Sequence, residues 1–294
     1  MNAVLDVQGL CKSYRGFRLE NASFSLPTGF VMGLIGPNGA GKTTLIRLIM
    51  NLIRPNAGQI RVFGLDHQDD EVAIRSRIGF VYDTPCYDPG ARLHTIARTL
   101  APFYPTWDEQ EFDRLMCEFE LPHHKKFKSL SHGMTNKFAL ALALAHHPDL
   151  LVMDEPTSGL DPVFRHELIE LLRDRMGDGR LSILFSTHIT TDLERFADYI
   201  TSVRKGRIVF SQSRDDILDS WSVVKGGTEL LNPALGAHLK GVQRGIAGVR
   251  ALTHDINGLR PYLSGGTAVE RASLDDIMVF LDSDDEPATL KVAA

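Results

Sequence analysis

A glycine-rich segment, GPNGAGKT at residues 36–43, has the GxxxxGK[ST] spacing that is typical of phosphate-binding loops. Glycines allow the backbone to curve so that successive N–H groups face phosphate oxygens, and a helix N-terminus also favours anions. Lys42 would then reach the β- and γ-phosphates, and the Thr43 hydroxyl would bind Mg²⁺. An apolar run, residues 30–35, precedes the segment, and Leu and Ile recur at helical spacing after it. This context favours a phosphate loop over a chance glycine-rich turn.

Two adjacent carboxylates, Asp154 and Glu155, follow a second apolar run at residues 150–153. A buried strand of this kind delivers the residues after it to the carboxyl edge of a sheet, where open α/β folds bind ligands. Asp154 would hold Mg²⁺ through water, and Glu155 would act as the general base toward an attacking water. The alternative interpretation is an acidic loop with no catalytic role after a buried strand. The presence of a phosphate-loop motif in the same chain argues against this alternative.

Four further features, in chain order with these two, resemble the nucleotide-binding subunits of ABC transporters over residues 4–215. LSHGM at residues 130–134 resembles the family signature LSGGQ, and SGLD at residues 158–161 resembles the loop that crosses between subunits. His188 matches the switch histidine after a strand, and Tyr14 lies where the family stacks an aromatic ring on adenine. An ordinary strand-end residue is the alternative interpretation for both His188 and Tyr14.

The resemblance implies ATP and Mg²⁺ as cofactors and a defined set of site residues. The implied nucleotide-binding residues are Tyr14, Gly36, Pro37, Asn38, Gly39, Ala40, Gly41, Lys42, Thr43, Thr44, Ser131 and Gly133. The implied catalytic residues are Glu155, His188 and Lys42. The implied metal ligands are Thr43, Asp154 and Asp83.

Three residues depart from the family pattern. His132 replaces a glycine and Met134 replaces the glutamine of the signature, whereas Ser131 and Gly133 are retained. In the family these retained residues contact the γ-phosphate bound to the partner subunit, and a helix N-terminus still favours an anion there. Asp83 stands where the family usually has glutamine, and its charge alters the local field although it can still meet Mg²⁺ or water.

The elements that must position these residues follow an α/β pattern. Strand and helix segments alternate, which indicates a mainly parallel sheet covered on both faces, preceded by antiparallel strands. The pattern predicts strands at residues 4–7 and 182–186, helices at 43–53 and 135–146, and a capping box of Ser273 and Asp276 before a last helix at 274–281. The resemblance implies the P-loop ABC-ATPase fold, with an antiparallel β subdomain and an inserted helical subdomain at residues 85–147. We expect this ATP-binding domain to span residues 1–213, followed by a small α+β appendage at 214–282 and a flexible tail at 283–294.

Composition narrows the class of partner. A formal net charge of −5 argues against a nucleic-acid partner, which usually requires a basic surface. Three widely spaced cysteines, Cys11, Cys86 and Cys117, predict reduced thiols rather than disulfides or a metal site. We expect neither a secretory signal nor a membrane-spanning segment. By resemblance, the chain would be cytoplasmic and held on the inner face of the membrane by a permease partner.

The resemblance implies that two such domains assemble head to tail with ATP between them. One subunit supplies the phosphate loop, Asp154, Glu155 and His188, and the other supplies the Ser131 signature and Asp161. The chain would therefore need a second copy or a paralogue, and would drive separate transmembrane subunits. Residues 78–83 and 103–107 are most similar to ABC-2-type exporters. Two alternatives remain: a soluble ABC ATPase acting on nucleic acid or the ribosome, and an ATP-dependent binding module that hydrolyses little.

Overall fold

The computed structural model describes residues 2–83, 85–232, 235–245, 248–263 and 266–283. The chain forms two compact units, residues 1–211 and residues 212–294. Residues 284–294 of the predicted flexible tail lie outside the described residues. In the described part of the chain, no helix combines the length and the apolar character that crossing a bilayer requires.

Strands and helices alternate through the first unit as the sequence predicts. Its strands are β1 (Ala3–Tyr14), β2 (Phe17–Pro27), β3 (Val31–Ile35), β4 (Ala57–Val62), β5 (Leu65–Asp66), β6 (Ile78–Val81), β7 (Leu150–Met153), β8 (Ser182–Thr187), β9 (Tyr199–Arg204) and β10 (Arg207–Ser213). Its helices are α1 (Lys42–Ile49), α2 (Glu71–Arg75), α3 (Leu93–Leu100), α4 (Glu109–Glu118), α5 (His132–Leu144), α6 (Pro162–Arg175) and α7 (Thr190–Phe196).

An antiparallel sheet with the strand order β2-β1-β4-β5 contains the N-terminal strands. In β2 the buried residues Ala22, Phe24 and Leu26 alternate with exposed ones, which confirms the predicted sheet with one solvated face. The sequence pattern ends the first strand at Val7, but its pairing with β2 continues through irregular register to Tyr14. The polar outer end of this hairpin shows no apolar alternation, so the pattern underestimates its length.

The second sheet has the strand order β10-β9-β3-β8-β7-β6, and the pairs from β6 to β9 across it are parallel. Every residue of β3, β7 and β8 is buried, as expected of a sheet covered on both faces. Met153 at the end of β7 pairs with Phe185, and Ile35 at the end of β3 pairs with Thr187. The segments that follow these strands therefore emerge side by side at one sheet edge.

The core of the first unit joins both sheets through α1. Leu45 and Ile46 of this helix lie in one buried cluster with Leu5 and Val62 of the antiparallel sheet and Leu34 of the parallel sheet. Burial of these apolar side chains is the main stabilising contribution to the unit, at roughly 25 cal/mol per Å² removed from water. The phosphate-loop helix is therefore fixed on both sides by strands.

The region between β6 and β7 is helical, as predicted. Asp108 caps α4 by accepting hydrogen bonds from the N–H groups of Gln110 and Glu111, at 2.9 and 3.0 Å. Helix α5 packs against β6 and contacts α4 through the rings of Phe112 and Phe138. Helix α3 precedes α4, and its buried face includes Leu93 and Ile96.

Two helix boundaries differ from the sequence prediction. Helix α1 ends at Ile49 rather than near Ile53, because Asn51 adopts a left-handed conformation (φ 51°) that terminates the helical turn. Helix α5 begins at His132 rather than Thr135, because the Ser131 hydroxyl accepts a hydrogen bond from the N–H of Met134. The apolar periodicity of α5 starts one turn after this cap.

The second unit is an α+β structure with an antiparallel sheet of order β12-β13-β11-β14. Its strands are β11 (Ser222–Gly226), β12 (Lys240–Gly245), β13 (Gly248–Thr253) and β14 (Ala268–Arg271). Its helices are α8 (Arg214–Ser220), α9 (Ile256–Leu259) and α10 (Leu274–Ser283). The predicted capping box before α10 is present, since Asp276 N–H donates to Ser273 Oγ and Ser273 N–H donates to Asp276 Oδ2.

Candidate functional site

A cavity of about 880 Å³ lies at the carboxyl edge of the parallel sheet, where the segments after β3, β6, β7 and β8 meet. It is lined by Tyr14, Phe17, Pro37, Asn38, Gly39, Gly41, Lys42, Thr43, Thr44, Arg47, Tyr82, Asp83, Cys86, Asp154, Glu155, Ser158 and His188. Most of the residues that the sequence nominates for nucleotide, base and metal are therefore brought together. Its volume lies in the range of small-molecule and cofactor sites.

Two glycines of the phosphate loop lie so close to neighbouring atoms that a side chain would not fit without movement. A Cβ on Gly36 would lie 2.1 Å from the carbonyl oxygen of Val203. Gly41 has a φ of 118°, and a Cβ there would lie 2.9 Å from the ring of Phe17. The Ala40 carbonyl accepts a hydrogen bond from Gly206 N–H at 2.9 Å, so this residue acts through its backbone.

Lys42 lies at the start of α1 with a side chain that is only 6% exposed. Its Nζ donates to the carbonyl oxygen of Gly36 at 2.7 Å and is 3.3 Å from Glu155 Oε1. A buried ammonium group needs such partners because desolvation of an unpaired charge is costly. Lys42 thus links the backbone of the phosphate loop to the carboxylate of Glu155, which follows β7.

Asp154 is 2% exposed and accepts hydrogen bonds from Ser186 Oγ at 2.6 Å and from Thr43 Oγ1 at 3.4 Å. Burial raises the pKa of the Asp154 carboxyl above its ordinary value, and the hydrogen bonds from Ser186 and Thr43 oppose this rise. The negative charges of Glu155 and Asp83 raise the pKa of Asp154 further. A cation beside this carboxylate would relieve the same electrostatic cost.

Glu155 lies between two nitrogen-bearing side chains. Its Oε2 is 2.8 Å from His188 Nδ1, and its Oε1 faces Lys42. The Glu155 backbone is left-handed (φ 49°), and its N–H donates to Ser186 Oγ at 2.9 Å. Non-glycine residues in this conformation cost of order 1 kcal/mol and need surrounding support. The turn at Glu155 directs its carboxylate toward the phosphate loop.

The outer part of the cavity is lined by aromatic rings and by the segment after β6. Tyr14 is 45% exposed, with Lys12 Nζ 5.4 Å from the centre of its ring, and Phe17 lines the cavity beside it. On the other side, Arg47 Nε donates to the Tyr82 hydroxyl at 2.9 Å. Asp83, the next residue, also lines the cavity.

The sequence profile of the ABC transporter family matches residues 19–158. The Nod factor export ATP-binding protein I of Rhizobium johnstonii is 35% identical over 69% of this chain and 67% of that protein. The bacitracin transport ATP-binding protein BcrA of Bacillus licheniformis is 29% identical over 71% of this chain and 69% of that protein. A solved ATP-binding subunit of an ABC transporter is 32% identical, with a TM-score of 0.68 over 74% of this chain and 92% of that chain.

The chain belongs to the ABC transporter family. It is an ATP-binding subunit of that family, and its fold is the ABC-ATPase fold. The resemblance to this family and the predicted fold class are thereby confirmed.

The signature of this ABC subunit lies at the start of α5. Ser131 caps the helix, and Gly133 lies in its first turn. Neither residue is among those that line the cavity with the phosphate loop. Asp161 caps α6, accepting hydrogen bonds from the N–H groups of Val163 and Phe164 at 3.1 and 3.0 Å. In a single copy, the predicted site residues therefore form two groups. The first group lines the cavity or lies in the phosphate loop, and the second consists of Ser131, Gly133 and Asp161.

The group of residues that lines the cavity includes oxygen atoms that could bind Mg²⁺. Among the described residues, no three His, Cys, Asp or Glu side chains converge to form a preformed metal site. Mg²⁺ is usually bound in nucleotide sites by one or two carboxylates together with substrate phosphates and water. The buried Asp154 carboxylate and the Thr43 hydroxyl beside it fit this pattern, and Asp83 lines the same cavity.

Three cavity features were not identified from the sequence. Ser186 bridges Asp154 and the Glu155 backbone, and its position two residues before His188 on a buried strand was the available signal. Phe17 packs against the phosphate loop, and the Arg47–Tyr82 pair connects α1 to the segment after β6. These contacts join residues that are distant in sequence, so spacing alone could not show them.

Proposed function

We propose that this chain hydrolyses ATP and that Glu155 is the general base. The observation that supports this is the position of the Glu155 carboxylate between Lys42 Nζ, at 3.3 Å, and His188 Nδ1, at 2.8 Å, beside the phosphate loop. A general base must lie within hydrogen-bonding reach of the water that it activates and be held there by a third group.

The roles of the residues follow from this arrangement. The N–H groups of the loop and Lys42 bind the β- and γ-phosphates, and Lys42 exchanges part of its contact with Glu155 for phosphate oxygens. Glu155 accepts a proton from the attacking water, while His188 orients its carboxylate through Oε2. Thr43 and Asp154 would hold Mg²⁺, which when bound would neutralise charge that develops on the phosphates. Tyr14 stacks on the adenine ring.

We propose that the complete hydrolytic site forms between two copies, or between this chain and a paralogue. In this arrangement Ser131 and Gly133 close over ATP bound to the partner's phosphate loop, where the N-terminus of α5 favours the γ-phosphate. The placement of the signature away from the cavity in a single chain supports this assignment. Closure excludes water from the site and strengthens its electrostatic interactions.

Hydrolysis in this proposal drives an exporter whose membrane-spanning subunits are separate polypeptides. The relative named for Nod factor export supports the export direction, and the relative named for bacitracin transport supports a role in transport. The chain would act at the inner face of the membrane, attached through those subunits. In this proposal the membrane-spanning subunits recognise the cargo, and the cavity described above binds nucleotide.

Replacing Glu155 with glutamine tests the base assignment. Glu155→Gln preserves the size of the side chain but removes the proton acceptor, so we expect phosphate release to fall by at least about 100-fold while ATP binding persists. Glu167→Gln, at an exposed position on α6, is the matched control and should retain full turnover. Phosphate release and equilibrium ATP binding are measured on the purified proteins. Near-normal turnover by Glu155→Gln would refute the assignment.

A further inference from the structure

The start of α5 is connected to the loop that follows Glu155. His132, the first residue of α5, has its ring Nε2 3.1 Å from the carbonyl oxygen of Ser158. A carbonyl oxygen only accepts, so Nε2 carries the proton and donates this bond. Ser158 lines the cavity, whereas His132 belongs to the signature, so the bond joins the two groups of site residues within one chain.

The ring of His132 also packs on the next residue of the loop. Gly159 has a left-handed φ of 68°, and a Cβ there would lie 3.0 Å from His132 Cδ2. The absence of a side chain at Gly159 leaves room for the ring beside the loop backbone. The imidazole therefore contacts two consecutive loop residues, and a glycine at position 132, as in the family signature, could make neither contact.

A second contact holds the same loop at Thr157. Thr157 Oγ1 donates to Asp192 Oδ2 at 2.8 Å, and Asp192 is buried. Arg165 Nε donates to the other carboxylate oxygen of Asp192 at 2.5 Å. Because the carboxylate is satisfied by both partners, the Thr157 end of the loop is firmly placed. The His132 bond fixes the adjacent peptide unit.

Ser158, whose carbonyl is held by His132, is also bonded through its own N–H to the backbone of the proposed base. Ser158 N–H donates to the backbone carbonyl of Glu155 at 3.1 Å, closing a tight turn. Glu155 itself has a left-handed backbone, which is maintained only if its surroundings hold it. Movement of Ser158 would therefore change its bond to the Glu155 carbonyl and shift the base relative to Lys42 and His188.

We infer that His132 is a positioning residue that holds the Ser158 turn and, through it, the carboxylate of Glu155. This inference rests on the proposed role of Glu155 in hydrolysis. The same role accounts for the presence of histidine at position 132, where the family signature has glycine. In the proposed dimer, the start of α5 contacts ATP bound to the partner, so the His132–Ser158 bond connects that contact to the base of the chain's own site.

The test compares His132→Ala with His132→Gln. Alanine removes the donor, whereas the amide nitrogen of glutamine can occupy the position of Nε2 and restore the bond to the Ser158 carbonyl. We expect His132→Ala to lower kcat about 5-fold, the value of one hydrogen bond, with the KM for ATP changed by less than about 2-fold. His132→Gln should recover most of kcat. His166→Gln, at an exposed position on α6, controls for loss of a histidine.

His132 is exposed, so the alanine variant should fold normally, which thermal unfolding checks. Hydrogen exchange supplies an independent readout, because the amides of residues 157–160 should exchange faster in His132→Ala and return toward wild type in His132→Gln. Wild-type kcat and unchanged exchange in His132→Ala would overturn the inference. If Glu155→Gln is inactive in the same assay, that result refutes only the role of His132, whereas near-normal turnover by Glu155→Gln refutes the proposed base assignment on which the inference rests.

Discussion

At the scale of single residues, the two carboxylates after β7 differ in their surroundings although they are adjacent in sequence. Asp154 is buried and receives hydroxyl donors, and its pKa is raised, mainly by burial. Glu155 faces Lys42 and His188 instead. Neighbouring carboxylates in contrasting environments commonly take different tasks. The environments support Asp154 as the cation ligand and Glu155 as the base.

His146 gives the fold a defined sensitivity to acid. The ring is 1% exposed, its Nε2 donates to the carbonyl of Ile78 at 3.2 Å, and the Tyr104 ring packs on it. Burial, with a smaller effect of His147, lowers the pKa of His146 to about 4 from 6.5. Above pH 6.5 the residue is neutral whether folded or unfolded. Below it the unfolded chain binds the proton first, so stability falls until about pH 4.

We therefore expect His146→Gln to reduce the loss of stability between pH 6.5 and pH 4. For the wild-type residue this loss amounts to roughly 3 kcal/mol, from the pKa difference between the two states. Urea unfolding at several pH values measures it, and His124→Gln serves as a control at a position that is not buried. An identical pH dependence in His146→Gln and the wild type would contradict the assignment.

At the scale of elements, the sequence predicted the parts of the site that depend on buried strands. Continuous apolar runs identified β3, β7 and β8, and the parallel arrangement then required their following segments to meet at one edge. The apolar pattern predicts the start of α5 three residues late, because the cap and the polar first turn of the helix have no apolar periodicity. The contact between His132 and Ser158 was not predicted, since it joins residues 26 positions apart across two elements.

The junction between β3 and α1 should be intolerant of any side chain at Gly36. A Cβ there would meet the backbone carbonyl oxygen of Val203 at 2.1 Å, and because this oxygen cannot rotate away as a side chain would, the loop or β9 must move. We expect Gly36→Ala to lower the free energy of unfolding by about 1–3 kcal/mol and to weaken ATP binding at least about 10-fold.

Gly64→Ala is the matched control. Gly64 also has a positive φ, 80°, but nothing lies within 4 Å of the added Cβ, so the variant should lose about 1 kcal/mol and bind ATP normally. Chemical unfolding and equilibrium ATP binding are measured on both variants. Normal ATP binding by Gly36→Ala would contradict the loop geometry described above.

At the scale of the whole molecule, one chain holds one phosphate loop and one signature, and they are directed to different places. The cavity contains the loop, both carboxylates and His188, whereas Ser131 and Gly133 lie outside its lining. A head-to-tail pair joins these two groups and is self-complementary, as two-fold assemblies are. The central claim is therefore that hydrolysis requires residues from two copies.

The most direct test of whether the hydrolytic site is shared between two copies is to mix two inactive variants and measure their turnover. Lys42→Ala retains a working signature and Ser131→Ala retains a working phosphate loop, so each homodimer lacks activity at both of its sites. Equal mixing places one intact site in each heterodimer, and we expect turnover to recover toward about one quarter of the wild-type value, since half the dimers carry half their sites intact. Turnover no greater than the average of the two separate variants would contradict a site shared between copies.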